Sequence, residues 1–112
     1  DQSHAEGGVT TASGESSHAE GYFTTASGRY SHAEGTGTKA SSTNQHVQGK
    51  YNIEDSENKY AFIIGNGSSN TSRSNAFAIG WDGKIYINNA TTGIDLVDLV
   101  TKVQALIDAS GT

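Results

Sequence analysis

The chain has 112 residues, 14 of them glycine, no cysteine, methionine or proline, and only 33% apolar residues; this fits one domain poor in the large side chains that fill a globular core. Its formal charge of −5 offers no attractive field to a nucleic-acid backbone or an anionic membrane, which leaves carbohydrate or protein as the partner class. Without cysteine there is neither a disulfide framework nor a thiolate metal site, and no apolar run approaches the roughly 18 residues of a membrane span, so no membrane insertion is expected.

Residues 1–56 read as four rows of fourteen: DQSHAEGGVTTASG, ESSHAEGYFTTASG, RYSHAEGTGTKASS and TNQHVQGKYNIEDS, the last a decayed copy. The rows split into two sevens with the skeleton x-Ala-x-Gly, as in Ala5/Gly7 and Ala12/Gly14, Ala19/Gly21 and Ala26/Gly28, and Ala33/Gly35, loosening to Ala40/Ser42 and Val47/Gly49. A seven-residue period could mark a coiled coil, but each Gly costs a helix about 1 kcal/mol. The alternative is a β-solenoid in which each half-row gives a strand of about five residues and a turn, and rows stack at roughly 4.8 Å. With little but methyl groups between its sheets such a roll is marginal alone, so self-association is expected. The start at Asp1, inside a repeat, suggests a fragment.

Ser3, Ala5 and Gly7 share one strand face, so His and Glu of each His-Ala-Glu triplet share the other. Stacking the rows aligns His4, His18, His32 and His46 beside Glu6, Glu20, Glu34 and Gln48. Three uses are open for this ladder: hydrogen bonding within a chain or across a trimer axis, an axial metal held by three imidazoles and three carboxylates of three chains, or binding of an anion or other ligand. A Ser-His-Glu triad is excluded, because adjacent strand residues point to opposite faces and Ser3 cannot reach the His4 imidazole. No cofactor motif is present and no enzyme is expected. The turn positions vary from row to row and carry exposed aromatics, making Tyr22, Phe23, Arg29, Tyr30 and Tyr51 the receptor-contact candidates, with stacking of Tyr22, Phe23, Tyr30 and Tyr51 between rows or against a neighbouring chain as the alternative.

Residues 57–90 change character. An apolar strand over 60–64, an alternating run over 76–81 and the hairpin signal Asp82-Gly83 ahead of Lys84-Ile85-Tyr86-Ile87 predict strands that cap the roll and hold its larger core side chains. The Asn/Ser/Gly-rich stretch 65–75 reads as a surface loop. In residues 91–112 the pattern turns helical, with Thr92 as the expected N-cap and Ser110-Gly111 as the stop. Leu96, Leu99, Val103 and Leu106 fall at a and d spacing and predict a short coiled-coil seam, either between chains or against the base of the head.

The run Ser-His-Ala-Glu-Gly followed by Thr-Thr-Ala-Ser-Gly, repeated at fourteen over residues 1–56, resembles the head repeats of YadA-like trimeric adhesins and, more closely, repeats in phage and prophage tail fibres. Lys59-Tyr60-Ala61-Phe62-Ile63-Ile64-Gly65-Asn66-Gly67 and Trp81-Asp82-Gly83-Lys84 look like the segment that follows such repeats. The resemblance implies a mainly β, left-handed parallel β-roll in a homotrimer, displayed outside the cell on a virion tail or a bacterial surface. It implies attachment to a cell-surface carbohydrate or protein receptor. A tail fibre is the leading expectation and a bacterial adhesin head the alternative; a polysaccharide-degrading tail enzyme would need paired carboxylates in a cleft, and the regular carboxylates here lie on a ladder. Where adhesin heads carry Val or Ile, this chain has His4/Glu6, His18/Glu20 and His32/Glu34, a departure that argues against an apolar trimer axis along the repeats.

Overall fold

A computed structural model describes residues 2–111; Asp1 and Thr112, the outer ends of the first and third segments, lie outside the described residues. The fourteen-residue rows form β1 (His4–Gly8), β2 (Thr11–Ala12), β3 (His18–Tyr22), β4 (Thr25–Ala26), β5 (His32–Ala33), β6 (Lys39–Ala40) and β7 (His46–Lys50). Odd-numbered strands stack in one sheet and even-numbered strands in the other, parallel and in register, so that each residue faces its counterpart fourteen positions on. The expected β-solenoid of about four turns is present. Its bends are equally periodic. Val9, Phe23, Gly37 and Tyr51 occupy the left-handed region at φ 54°, 56°, 63° and 43°, and Ser16, Tyr30, Asn44 and Asn58 do so at the other bend. Their amides keep the ladder continuous around the corners, as Phe23 N donates to Gly8 O at 2.9 Å and Tyr51 N to Thr36 O at 2.9 Å.

The space between the sheets is filled by Ala19, Ala26, Ala33, Ala40 and Val47, all fully buried. Only small residues fit there. Ser17 and Ser31, also inside, donate to Gly14 O and Gly28 O at 2.7 Å, so these two hydroxyls are satisfied within their own coil, whereas the buried Thr24 Oγ1 has no hydrogen-bond partner.

What reads in the sequence as decay of the fourth row is the device that ends the coil. Asn52 replaces the Thr of Thr24 and Thr38; its Oδ1 accepts from Lys39 N at 2.8 Å and its Nδ2 donates to Lys39 O at 3.1 Å, pairing with β6 as a further strand would. Gln45 replaces the Ser of Ser17 and Ser31; its Oε1 accepts from Ser41 N at 3.1 Å, and its Nε2 donates to Asp55 and to Tyr60 O. The small sheet is thus closed by side chains, which is one way to blunt a strand edge.

The large sheet continues. β8 (Tyr60–Asn66) adds parallel to β7, then β9 (Asn75–Gly80) and β10 (Ile85–Ile87) add antiparallel, giving the order β1-β3-β5-β7-β8-β9-β10. These strands therefore extend the sheet rather than plug the end of the roll. Their larger side chains are not mainly core either: Ile63, Ala78 and Tyr86 face inward, whereas Phe62, Ile64, Phe77, Ile79 and Ile85 are half-buried and Ile87 is exposed. The reason is alternation, since Phe62 and Ile64 flank Ile63 and must point the other way. The β9–β10 connection spans residues 81–84, longer than the two-residue turn expected from Asp82-Gly83.

The helix α1 (Leu96–Ser110) starts three residues later than Thr92 implies, with Asp95 as N-cap accepting from Asp98 N at 2.9 Å. Ile94 pairs with Ile85 through two backbone hydrogen bonds, which keeps the preceding residues extended. Gly111 ends the helix as expected, its N–H on Ile107 O. No residue of α1 is buried, and the chain is long and thin, 61 × 29 × 19 Å.

Candidate functional site

One face of the seven-stranded sheet carries the ladder. The His18 and His32 rings stack at 4.6 Å and the His32 and His46 rings at 4.5 Å, both within 3° of parallel. Glu20 Oε1 sits between two imidazoles, 3.6 Å from His18 Nε2 and 3.3 Å from His32 Nε2; Glu34 Oε1 lies 3.8 Å from His32 Nε2 and 3.0 Å from His46 Nε2. Of these contacts only the last has hydrogen-bond geometry. The Nε2 atoms of His18 and His32 are shielded from water without a hydrogen bond, although a carboxylate is within ion-pair reach. His4 and Glu6 continue the ladder more loosely at 3.9 Å.

These His and Glu groups are also where a metal would be sought, since His18, Glu20 and His32, and again His32, Glu34 and His46, present donor atoms within 4.8 Å of one another. Two donors on a transition metal, each about 2.1 Å from the ion, are at most about 4.2 Å apart. The His18 and His32 rings stand face to face as a stack, their planes within 3° of parallel.

Along the same face the chemistry changes from polar to apolar. Register pairs His46 with Phe62 and Gln48 with Ile64, then Phe62 with Ile79, Ile64 with Phe77, and these with Ile85 and Ile87. The His46 and Phe62 rings meet at 5.4 Å. From His4 to Ile87 one continuous face is thus uncovered, ionisable at one end and apolar at the other. Further along the chain, Leu96, Leu99, Val103 and Leu106 line one stripe of α1 and each of these residues is exposed. The intrachain alternative for that stripe, packing against the base of the head, is not realised, because the helix buries nothing.

Compared with family models, curated proteins and solved structures, the chain matches none.

The five aromatic and basic candidates at the bends divide between two edges. At one bend Arg29 pairs with Glu15 at 3.2 Å and lies over the Tyr30 ring at 5.5 Å. At the other, Tyr22 and Phe23 meet edge to face at 4.5 Å, and Tyr51 lies two rows further on. Between Phe23 and Tyr51 the periodic position is Gly37, against which the Tyr51 ring leans; a Cβ there would meet that ring at 2.3 Å. The result is a groove of about 350 Å³ lined by Phe23, Thr25, Gly37, Lys39, Tyr51, Asn70 and Arg73. Lys39 stacks on Thr25 as the repeat implies, whereas Asn70 and Arg73 are not foreseeable from it. Arg73 arrives because the 65–75 stretch folds back on the fourth row, where Gly67 N donates to Lys50 O and Ser74 N to Tyr51 O, both at 3.0 Å. Its guanidinium then lies over Tyr51 at 5.7 Å and donates to Gly37 O, Asn52 O and Asn70 Oδ1.

Near the hairpin, Asp82 accepts from Lys84 N at 2.9 Å and from Tyr86 OH at 3.2 Å. The Lys84 N–H, foremost, holds the Asp82 carboxyl below its ordinary value. Burial, with the Asp82 hydrogen bond next, pushes the Tyr86 phenol up. This pair braces the turn.

Proposed function

We propose that the chain is a non-enzymatic segment of a phage or prophage tail fibre that attaches to a bacterial surface, built as a homotrimer of left-handed rolls. The observation that carries the reading is the uncovered sheet face running from the His/Glu ladder to Phe62, Ile64, Phe77, Ile79, Ile85 and Ile87, together with the exposed apolar stripe of α1. A strand apolar on both faces belongs in a sheet covered on both sides. A fifteen-residue helix with no buried residue is marginal in water without partners. Sheet face and helix stripe both want a surface the chain does not supply, and further copies of itself satisfy both at once. Three chains would then bring their ladders together along the axis, where His and Glu of neighbours complete one another's hydrogen bonds. The bends stay outward in that arrangement and offer aromatic and basic groups to a receptor.

The test is binding of fluorescently labelled protein to a panel of bacterial cells and to purified capsule and wall polymers. Saturable binding to some cells, with polymers left intact, is expected. No binding across the panel overturns attachment, and new reducing ends in a polymer overturn the non-enzymatic reading.

A further inference from the structure

We propose that the groove between Phe23 and Tyr51 binds a pyranose carrying an anionic group, a uronic acid or a sugar phosphate of a surface polymer. The inference rests on the receptor-binding reading and names the ligand class for it. The groove combines what such a ligand needs. Phe23 is half exposed and Tyr51 walls the far side, giving apolar surfaces for the C–H face of a sugar ring. Gly37, the one member of the series Val9, Phe23, Gly37, Tyr51 without a side chain, lets the Tyr51 ring lie over its backbone and so face the groove.

The charge is supplied by Lys39 and Arg73. Arg73 has no carboxylate partner among the described residues, and its three hydrogen bonds go to two carbonyls and an amide, leaving two of the roughly five N–H groups of a guanidinium for a ligand. Lys39 stands 3.8 Å from Glu54, a carboxylate already accepting from Ser41 Oγ at 2.6 Å, so the ammonium is weakly engaged. In a chain of net charge −5, two such cations facing one notch favour an anion. Phe23 sits at φ 56°, the left-handed conformation that the coil imposes on the matching bend residue of every row and that Asn adopts at less cost than Phe.

That difference makes a clean variant available. Phe23→Asn removes the wall while placing a residue that tolerates the left-handed region, and Lys39→Gln removes a charge while both rings remain. Trigalacturonate, mannose 6-phosphate and neutral galactotriose are titrated by NMR and calorimetry into the assembled wild type and both variants. Expected are shifts of the Gly37, Tyr51 and Asn70 amides with an anionic probe, affinity falling with added salt, and a loss of about tenfold in each variant. Which anionic probe binds identifies the source. Equal affinity for galactotriose, shifts confined to other residues, or an unaltered Phe23→Asn would overturn the groove. Cell binding by wild type and Phe23→Asn separates the two proposals. Cells bound equally by both remove the groove and keep attachment; a wild type that binds trigalacturonate but no cell removes attachment and keeps the groove.

Discussion

Asn52→Thr restores the residue that the repeat carries at Thr24 and Thr38, and it is expected to destabilise the fold. If the fourth row were a worn copy, restoring its consensus would help or do nothing. Asn52 is fully buried, and its amide satisfies both the N–H and the C=O of Lys39, with a third bond from Nδ2 to Ile53 O at 3.0 Å. A threonine hydroxyl is too short to reach both Lys39 groups. Each buried group left without a partner costs about 1–3 kcal/mol, so two cost about 2–6 kcal/mol. Against the 5–15 kcal/mol of an ordinary domain, roughly, this is a large share. Urea unfolding followed by circular dichroism measures it, at one fixed protein concentration because assembly is linked to folding. A midpoint lowered without change in slope is expected; an equal or higher midpoint for Asn52→Thr would refute the capping role.

Changing His18 and His32 together to Ala removes both imidazoles beside Glu20; if partner chains cover the ladder the loss is about 1–3 kcal/mol per stranded group, whereas on an open face it stays below about 1 kcal/mol per pair, and thermal unfolding tells these apart. Because the Asp82 carboxyl is held below its unfolded value, its contribution to the hairpin is present above the unfolded carboxylate range and is lost as pH falls through the lowered value. Tyr86 works in the opposite sense: its phenol is raised, so its share is complete below the unfolded tyrosine range and is lost as pH rises through the raised value. Trp81 fluorescence, next to this pair in sequence, should therefore change at both extremes, and Asp82→Asn should abolish the acid limb. Leu99→Asp places a charge in the helix stripe and should lower the assembly state at micromolar concentration, by several kcal/mol if the stripe is covered, roughly; unchanged mass and melting would remove α1 from the interface.

The coil was legible because its period is written in small residues: the Gly that follows Ala5, Ala12, Ala19 and Ala26 two positions on argues against a helix of the same period, and the His-Ala-Glu alternation fixes which face is polar. The helix stripe was equally plain. The sequence hid the capping, because Gln45 and Asn52 look like loss of pattern until their amides are seen replacing the next strand. It also misdirected the reading of 60–64, where a continuous apolar run does not say which of Phe62, Ile63 and Ile64 points inward. The groove was half visible, through Phe23 and Tyr51 on the varying bends. Arg73 could not be placed, since only the fold-back of the 65–75 stretch, fixed by amides on Lys50 and Tyr51, carries it across to Gly37.

The uncovered face from His4 to Ile87 and the bare stripe of α1 make one demand that can be measured without knowing the receptor. Sedimentation equilibrium of the whole chain from micromolar concentrations upward is expected to give three times the chain mass, in step with a helical signal that survives dilution to that range. A stable, folded monomer at micromolar concentration would contradict the account.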